Sequence, residues 1–317
     1  MSNAKPIPCR QRRSSDVRPR RLAMIGEPWL RLRAMLLCST LFVVCAGIVV
    51  SAEARTGALE RIAAGEAMTI AYAPNAYPLS FRDADGAPRG YAIDLCRRII
   101  EGIQAQLQLD ALELAWLEGN TPRRLAAVGN GEADIECGTT TVTLERQTQV
   151  DFSNIVFVES GGLLVRRDSG IATLADLGGQ RIGVVPETTT ERRLRPALTA
   201  GGIDAELVPI RDARDGRERL IVDELDAVAG DRLVLLGQIA ETGNAAGFAI
   251  VTADFSVEPY AFALPRNDAD FRLAVNRALA GVYRSGEVDR IFTRWFGADA
   301  EPTPLLQTIF FLYGFAD

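Results

Sequence analysis

Histidine is absent from the 317-residue chain. That excludes His-based nucleophile triads, His general bases and His zinc sites. Phosphate-cradling motifs are missing too. No G-x-x-x-x-G-K-[ST] occurs, and no G-x-G-x-x-G links a strand to a helix. No Ser, Cys or Lys stands beside a credible base, so covalent catalysis has no evident nucleophile. Cysteine is scarce: of five in the chain, only Cys96 and Cys137 lie beyond residue 54, and no metal-ligand spacing links them. In an oxidising compartment these two can pair. Separate buried thiols are the alternative, and spacing does not choose between them. Beyond residue 54 there is no internal repeat, no low-complexity stretch and no Pro/Gly-rich linker.

What is present begins with a strongly basic segment. Residues 1–33 carry eight arginines, Arg10 to Arg33, followed by an apolar run from Ala34 to Val50 and the small residues of Ser51-Ala52-Glu53-Ala54. These are the three parts of a secretory signal peptide, with cleavage expected after Ala54 or Ala52 and Met24 as an alternative start. An uncleaved anchor is the competing reading, since 17 apolar residues reach the lower limit for a membrane span. Val44 before Cys45 does not fit a lipobox. The expected location is periplasmic. Residues 1–54 hold nine Lys/Arg and three Asp/Glu, which leaves 26 basic and 38 acidic residues and a net charge of −12 beyond them. An acidic protein of this kind is a poor partner for nucleic acid.

Strand and helix patterns alternate along the remaining chain, the mark of an α/β fold with parallel strands. Met68–Tyr72, Leu112–Trp116 and Ala133–Cys137 read as strands. Tyr91–Leu107 reads as a helix on the stripe Leu95, Ile99, Ile103 and Leu107. Thr121-Pro122 opens the next helix, with Thr121 as its expected N-cap. Asp83-Ala84-Asp85-Gly86 is a hairpin turn, since no acidic ligands follow at calcium-loop spacing. Further on, Leu163–Val165, Arg181–Val185, Glu206–Pro209 and Asp226–Gly230 are strands. Helices are expected from Thr188-Thr189-Thr190 to Leu198, over Arg217–Glu224 and over Asp231–Glu241. Phe271, Val275, Leu279 and Val282 mark a long helix. The apolar tail Leu305–Tyr313 should pack on the body.

The candidate chemistry is that of binding. Gly138-Thr139-Thr140-Thr141-Val142-Thr143-Leu144-Glu145-Arg146 lies at a strand's carboxyl end, where open α/β sheets hold ligands. It is expected to lead into a helix whose free amides, threonine hydroxyls and Arg146 favour an anion. Thr188 and Thr189 form a second such start, with plain N-capping as the alternative role. Asp231 closes a strand, placed to accept from an ammonium or to cap its helix. Thr121 and Arg124 begin another helix, where Arg124 either reaches a ligand side chain or faces solvent.

Taken together these residues resemble the family 3 extracellular solute-binding proteins of ABC transporters. The likeness runs from about Glu66 onward. It is carried by Ala133-Asp134-Ile135-Glu136-Cys137-Gly138-Thr139-Thr140-Thr141, Leu144-Glu145-Arg146-Gln147 and Val150-Asp151-Phe152-Ser153. Gly90-Tyr91-Ala92-Ile93-Asp94-Leu95, Leu174–Gly179, Leu225–Asp231 and Ser285-Gly286-Glu287 add to it. It looks most like the glutamate/aspartate-binding branch. The resemblance implies a type II periplasmic-binding-protein fold (Venus flytrap): two mixed sheets flanked by helices, in two lobes joined by two crossover strands. Lobe 1 would be 66–158 with 257–317, and lobe 2 would be 159–256. Hinges would fall near Val158–Gly161 and Ala253–Glu258. A free amino acid would be the ligand, a membrane permease the partner and a monomer the working form, with no cofactor. By position Arg146 would clamp the α-carboxylate with Thr139, Thr141, Thr188 and Thr189, and Asp231 would hold the α-ammonium. Arg124, Thr121 and Tyr77 would face the ligand side chain.

The chain also departs from the branch. It has Ala73 where the branch has an arginine, and Ala213 where the branch has a histidine. It has Ala76 where many relatives stack an aromatic, Tyr77 being one residue late. An enzyme of dehydratase type on the same fold is a second reading, with Glu187 or Glu258 as its acid. An accessory periplasmic protein without a ligand is a third.

Overall fold

The computed structural model describes residues 56–251 and 256–315. The expected signal segment, 1–54, lies outside them, as does 252–255 in the expected second hinge. In chain order the first elements are α1 (Ala58–Ala63), β1 (Met68–Tyr72), β2 (Asn75–Ala76), β3 (Ser80–Arg82), β4 (Pro88–Arg89), α2 (Tyr91–Gln106), β5 (Leu114–Glu118), α3 (Thr121–Asn130), β6 (Ile135–Glu136) and β7 (Asp151–Arg166). There follow β8 (Arg181–Val184), α4 (Thr189–Ala200), β9 (Glu206–Pro209), α5 (Ala213–Ile221), β10 (Ala227–Asp231), α6 (Arg232–Glu241) and β11 (Phe248–Val251). The last are β12 (Val257–Leu264), α7 (Ala269–Arg284), α8 (Glu287–Phe296) and α9 (Pro304–Gly314).

Each main element has a local cause. In α2 the expected stripe holds: Leu95, Ile99 and Ile103 are fully buried and the helix packs on α7. The β3–β4 turn is the expected hairpin. Asp83 accepts from the amides of Asp85 and Ala87 and from Arg89, and Gly86 sits at φ +83°. The apolar tail forms α9, whose Phe310 ring stacks on Tyr283 with centroids 4.9 Å apart. Helix α5 begins four residues before the expected Arg217. Asp212 caps it, its carboxylate accepting from the Asp215 amide at 2.9 Å. Asn120, not Thr121, caps α3. The Asn120 side chain accepts from the Arg123 amide, which places Thr121 one residue inside the helix.

The strands run in the order β5-β1-β6-β12-β7-β10-β8-β9, with β11 also on β7. Pairs β1–β5, β1–β6, β8–β9 and β8–β10 are parallel, and all pairs to β7 and β12 are antiparallel. The sheet is therefore mixed, as expected, and flanked by helices. Strand β7 is its pivot. Up to Ser160 it pairs with β12, and from Gly161 it pairs with β10. Expected as a short strand at Leu163–Val165, it is one 16-residue element. Ile70, Ile99, Phe262 and Phe271 belong to one apolar cluster, which also takes in Val234 of α6, while Leu163, Ile182, Leu194 and Ala227 belong to another.

Candidate ligand-binding site

Parallel strands end where their backbone amides and the next helix start are both free of the sheet, so ligands gather there. In this protein the carboxyl ends of β1, β5, β6, β8, β9 and β10 converge on one cavity of about 270 Å³. Ala73 follows β1, Gly119 follows β5, Thr139 follows β6, Val185 follows β8, Ile210 follows β9, and Asp231 ends β10. Of the expected site residues, Arg146, Thr139, Thr141, Thr188, Thr189, Asp231, Arg124 and Thr121 all line it. Tyr77 is not among the lining residues. Its ring packs edge-on against Phe81 with centroids 5.1 Å apart, and its neighbour Ala76 lines the cavity instead.

The Gly138–Arg146 loop leads into no helix, contrary to expectation. Residues Thr140–Val142 are extended and stitched to β12: Val142 N–H donates to Pro259 O at 2.8 Å, and Ala261 N–H donates to Thr140 O at 3.2 Å. Only a 3-10 turn, Arg146–Thr148, follows. What this pairing achieves is to fix Arg146. Its guanidinium is buried and donates to Thr141 O at 2.8 Å. No carboxylate among the described residues pairs with it. Burial pulls its pKa down, and nearby Arg192 adds to this. Glu136 and Glu258 act on it in the opposite direction from farther off, and an arginine stays charged, so the cavity contains a desolvated cation with no directly bonded carboxylate among the described residues.

Asp231 occupies the N-cap position of α6 without spending its carboxylate on the helix. It is partly open to the cavity yet lies deep in the protein. Burial pushes its pKa up to about 7; Glu258 and Glu159 act in the same direction, and the Tyr260 hydroxyl acts against them. A cation arriving in the cavity would restore its charge.

The threonines turn out to be engaged. Thr188 caps α4, accepting from the Glu191 amide at 3.3 Å while donating to Val185 O at 2.7 Å. Thr141 and Thr189 both donate to one oxygen of the buried Glu258, at 2.5 and 2.8 Å. A hydroxyl has a single proton. All three therefore offer lone pairs to the cavity, and the groups there with protons to give an anion include Arg146 and the first-turn amides of α4.

Arg124 is not solvated. It is buried, with Nε on Glu136 at 2.7 Å and further bonds to Gly119 O at 2.8 Å, Thr121 Oγ1 at 3.2 Å and Thr140 Oγ1 at 3.4 Å. Gly138 makes this pair possible, since a Cβ there would overlap Glu136 Oε1 and come within 3.0 Å of Arg124 Nε. Cys96 and Cys137 form a disulfide immediately before this loop. Glu187 is exposed and off the cavity lining, which removes one acid from the enzyme reading. Sequence reasoning did not assign Glu136, Asn75, Asp212 or the Glu258–threonine contacts to the site. Their partners lie up to 137 residues away, beyond the reach of any local pattern.

A buried cation and a largely desolvated carboxylate lining one cavity at the carboxyl ends of the strands define a cleft-type binding protein. The model of the bacterial extracellular solute-binding proteins, family 3, matches residues 68–298, and the chain belongs to that family. The L-glutamate/L-aspartate-binding protein of Pseudomonas aeruginosa is 29% identical over 279 residues, 87% of this chain and 92% of that protein. The glutamate/aspartate import solute-binding protein of Escherichia coli K12 is 27% identical, over 80% of this chain and 84% of that one. A solved structure, an ancestral arginine-binding protein bound to arginine, superimposes with a TM-score of 0.65 at 27% identity, covering 73% and 98% of the two chains. The chain shares the type II periplasmic-binding-protein fold. The relatives with assigned roles are solute-binding proteins rather than enzymes, and this chain is a solute-binding protein.

Proposed function

We propose that the protein captures a free amino acid in this cavity and delivers it to the membrane permease of an ABC importer. One observation carries the reading: Arg146 and Asp231, opposite in sign and both desolvated, line the same small cavity. That is the charge pattern a zwitterion needs. Arg146 and the α4 amides take the α-carboxylate, and Asp231 takes the α-ammonium. Thr141 and Thr189, their protons held by Glu258, accept from the ammonium as well. Each charge-assisted bond contributes about 1.5–3 kcal/mol, so a handful, less the cost of closure, reaches the ~8 kcal/mol of a micromolar complex.

The two lobes are residues 66–158 with 257–317, and residues 159–256. Support comes from the change of partner along β7 between Ser160 and Gly161 and from the separate apolar clusters. Ligand bridges the lobes and favours the closed form, which the permease reads. The protein acts in the periplasm as a monomer, exported by its N-terminal segment. Among the described residues, no helix is long and apolar enough to cross a membrane. The names of the relatives support the amino-acid class and the permease partner.

The test is calorimetric titration of residues 55–317 with the standard amino acids. A subset should bind, and Arg146→Ala should abolish binding with an unchanged circular dichroism spectrum. Retained affinity in that variant would remove Arg146 from the assigned role.

A further inference from the structure

With the head group on Arg146 and Asp231, the ligand side chain is left to the remaining polar lining, which is Asn75, Glu118 and Thr121 near the carboxyl ends of β1 and β5, and Arg211 and Asp212 after β9. Its charges can be assigned one by one. Arg124 is the cation nearest the floor, but Glu136 holds its Nε, and three oxygen atoms of Gly119, Thr121 and Thr140 take further donors. Its charge is paired with a carboxylate, and four of its five N–H bonds have acceptors, which leaves a single Nη1–H. Arg211 is mostly exposed and directed to Asp215, at 3.0 Å. Small side chains stand at Ala73, Ala76 and Ala213. Among the described lining residues at this end, no cation is left uncompensated.

Acceptors are not so limited. Asp212 accepts one bond on each oxygen, from the Asp215 amide and from Asn75 Nδ2 at 2.8 Å. Glu118 is paired with Arg82 at 3.2 Å and accepts from the Tyr72 hydroxyl at 3.3 Å through the same oxygen, Oε2. A carboxylate has about four lone-pair sites, so both carboxylates keep capacity for a donor from the cavity. A ligand carboxylate placed here would meet two like charges and no free cation. A ligand nitrogen would meet acceptors.

We infer that the side-chain end of the cavity takes an amino acid whose side chain ends in nitrogen donors, an amide or a cation, and rejects a side-chain carboxylate. This rests on the amino-acid reading above and narrows it, and it separates this protein from the glutamate/aspartate-binding relatives it matches.

The test uses residues 55–317 at pH 8 and four probes: L-glutamine, L-arginine, L-lysine and L-glutamate. Glutamine and glutamate have the same shape and differ in one terminal group, so their ratio isolates the polarity of this end. At least one nitrogen-ended probe should bind ten times more tightly than glutamate. Arginine or lysine ahead of glutamine identifies a cation as the preferred group; the reverse order identifies an amide, and either order supports the inference. Glutamate bound as tightly as every other probe, or more tightly, overturns it. If none of the four binds, the inference falls; the amino-acid reading falls only if none of the standard amino acids binds. The paired variant Glu118→Gln with Asp212→Asn removes both charges while keeping the α5 cap, because asparagine caps as well as aspartate. It should reduce the preference over glutamate at least tenfold with an unchanged melting temperature. An unchanged preference in a folded variant overturns the assignment to these carboxylates.

Discussion

At the scale of single residues, Asp231, proposed to hold the α-ammonium, should make binding respond to pH. Burial disfavours its anion and pushes its pKa up to about 7. An α-ammonium binds the ionised form. Affinity should therefore weaken as pH falls below about 7, by up to tenfold per unit, and level off above pH 8. Titration calorimetry from pH 5.5 to 8.5 reads this directly, and a flat profile would remove Asp231 from the ammonium site. Asp231→Asn should abolish the slope and cost about 10- to 100-fold in affinity at pH 8, the loss of one charge-assisted bond. Because the raised carboxyl holds its proton more tightly folded than unfolded, the unliganded protein loses stability through this group as pH rises from 3.8 to about 7. Asp231 and Arg146 were both legible in the sequence, since each lies at the end of a strand or in a loop with a recognisable pattern. Glu258 as the holder of Thr141 and Thr189 was not. Its contacts span 117 and 69 residues and depend on β12 passing beneath the loop. Arg124 shows the same limit. Its place at a helix start could be read, but the Glu136 partner that neutralises it could not.

At the scale of elements, the Gly138–Arg146 loop determines what the site can do, and a covalent tie holds its base. Cys96 in α2 and Cys137, just after β6, are both fully buried and 41 residues apart. Closing a loop of that length removes denatured-state entropy equivalent to about 4 kcal/mol at 25 °C. Replacing both by alanine should lower the unfolding free energy by about 2–4 kcal/mol in urea titrations, the lower end reflecting residual structure in the denatured chain. An unchanged midpoint and slope would mean the bridge does not form in the folded protein. Gly138→Ala acts on the same loop by another route, crowding the buried Arg124–Glu136 pair, and overpacking of this kind should lower stability by about 1–3 kcal/mol in the same titrations. Helices with a clear apolar period, such as α2 and α7, were read from sequence to within a residue or two. β7 was read only in part. Gly161-Gly162 interrupts its apolar run and looks like a break, while in the structure the pair sits inside the strand, where the partner changes. Threonines such as those at 139–141 favour a helix start locally. Backbone pairing of Thr140–Val142 to β12 overrides that preference.

At the scale of the whole molecule, the two sides of the cavity meet through contacts that need no ligand. Asn75 donates to Asp212, Gln238 donates to Asn75 O at 3.4 Å, and Arg192 reaches Glu145 at 2.7 Å. Gly237 on α6 also lies against the backbone of Tyr77, with no room for a Cβ between them. Strand β7 changes partner between Ser160 and Gly161 without a loop, so a division proposed there needs no linker composition in the sequence. Gly237 decides how far the two sides can close. A Cβ at this position would overlap the Tyr77 carbonyl, and that obstacle is backbone, unable to rotate away. Gly237→Ala should therefore leave both cores folded while forcing α6 off the Tyr77 strand turn, shifting the population toward a wider cleft. Ligand affinity should drop because the closed form becomes the minor state, and the apparent Kd rises in inverse proportion to its population. Small-angle scattering with saturating ligand should show a larger radius of gyration than the parent, and calorimetry a weaker Kd at unchanged circular dichroism. If both the radius and the affinity match the parent, Gly237 does not set the closure and the Asn75–Asp212 contact becomes the candidate.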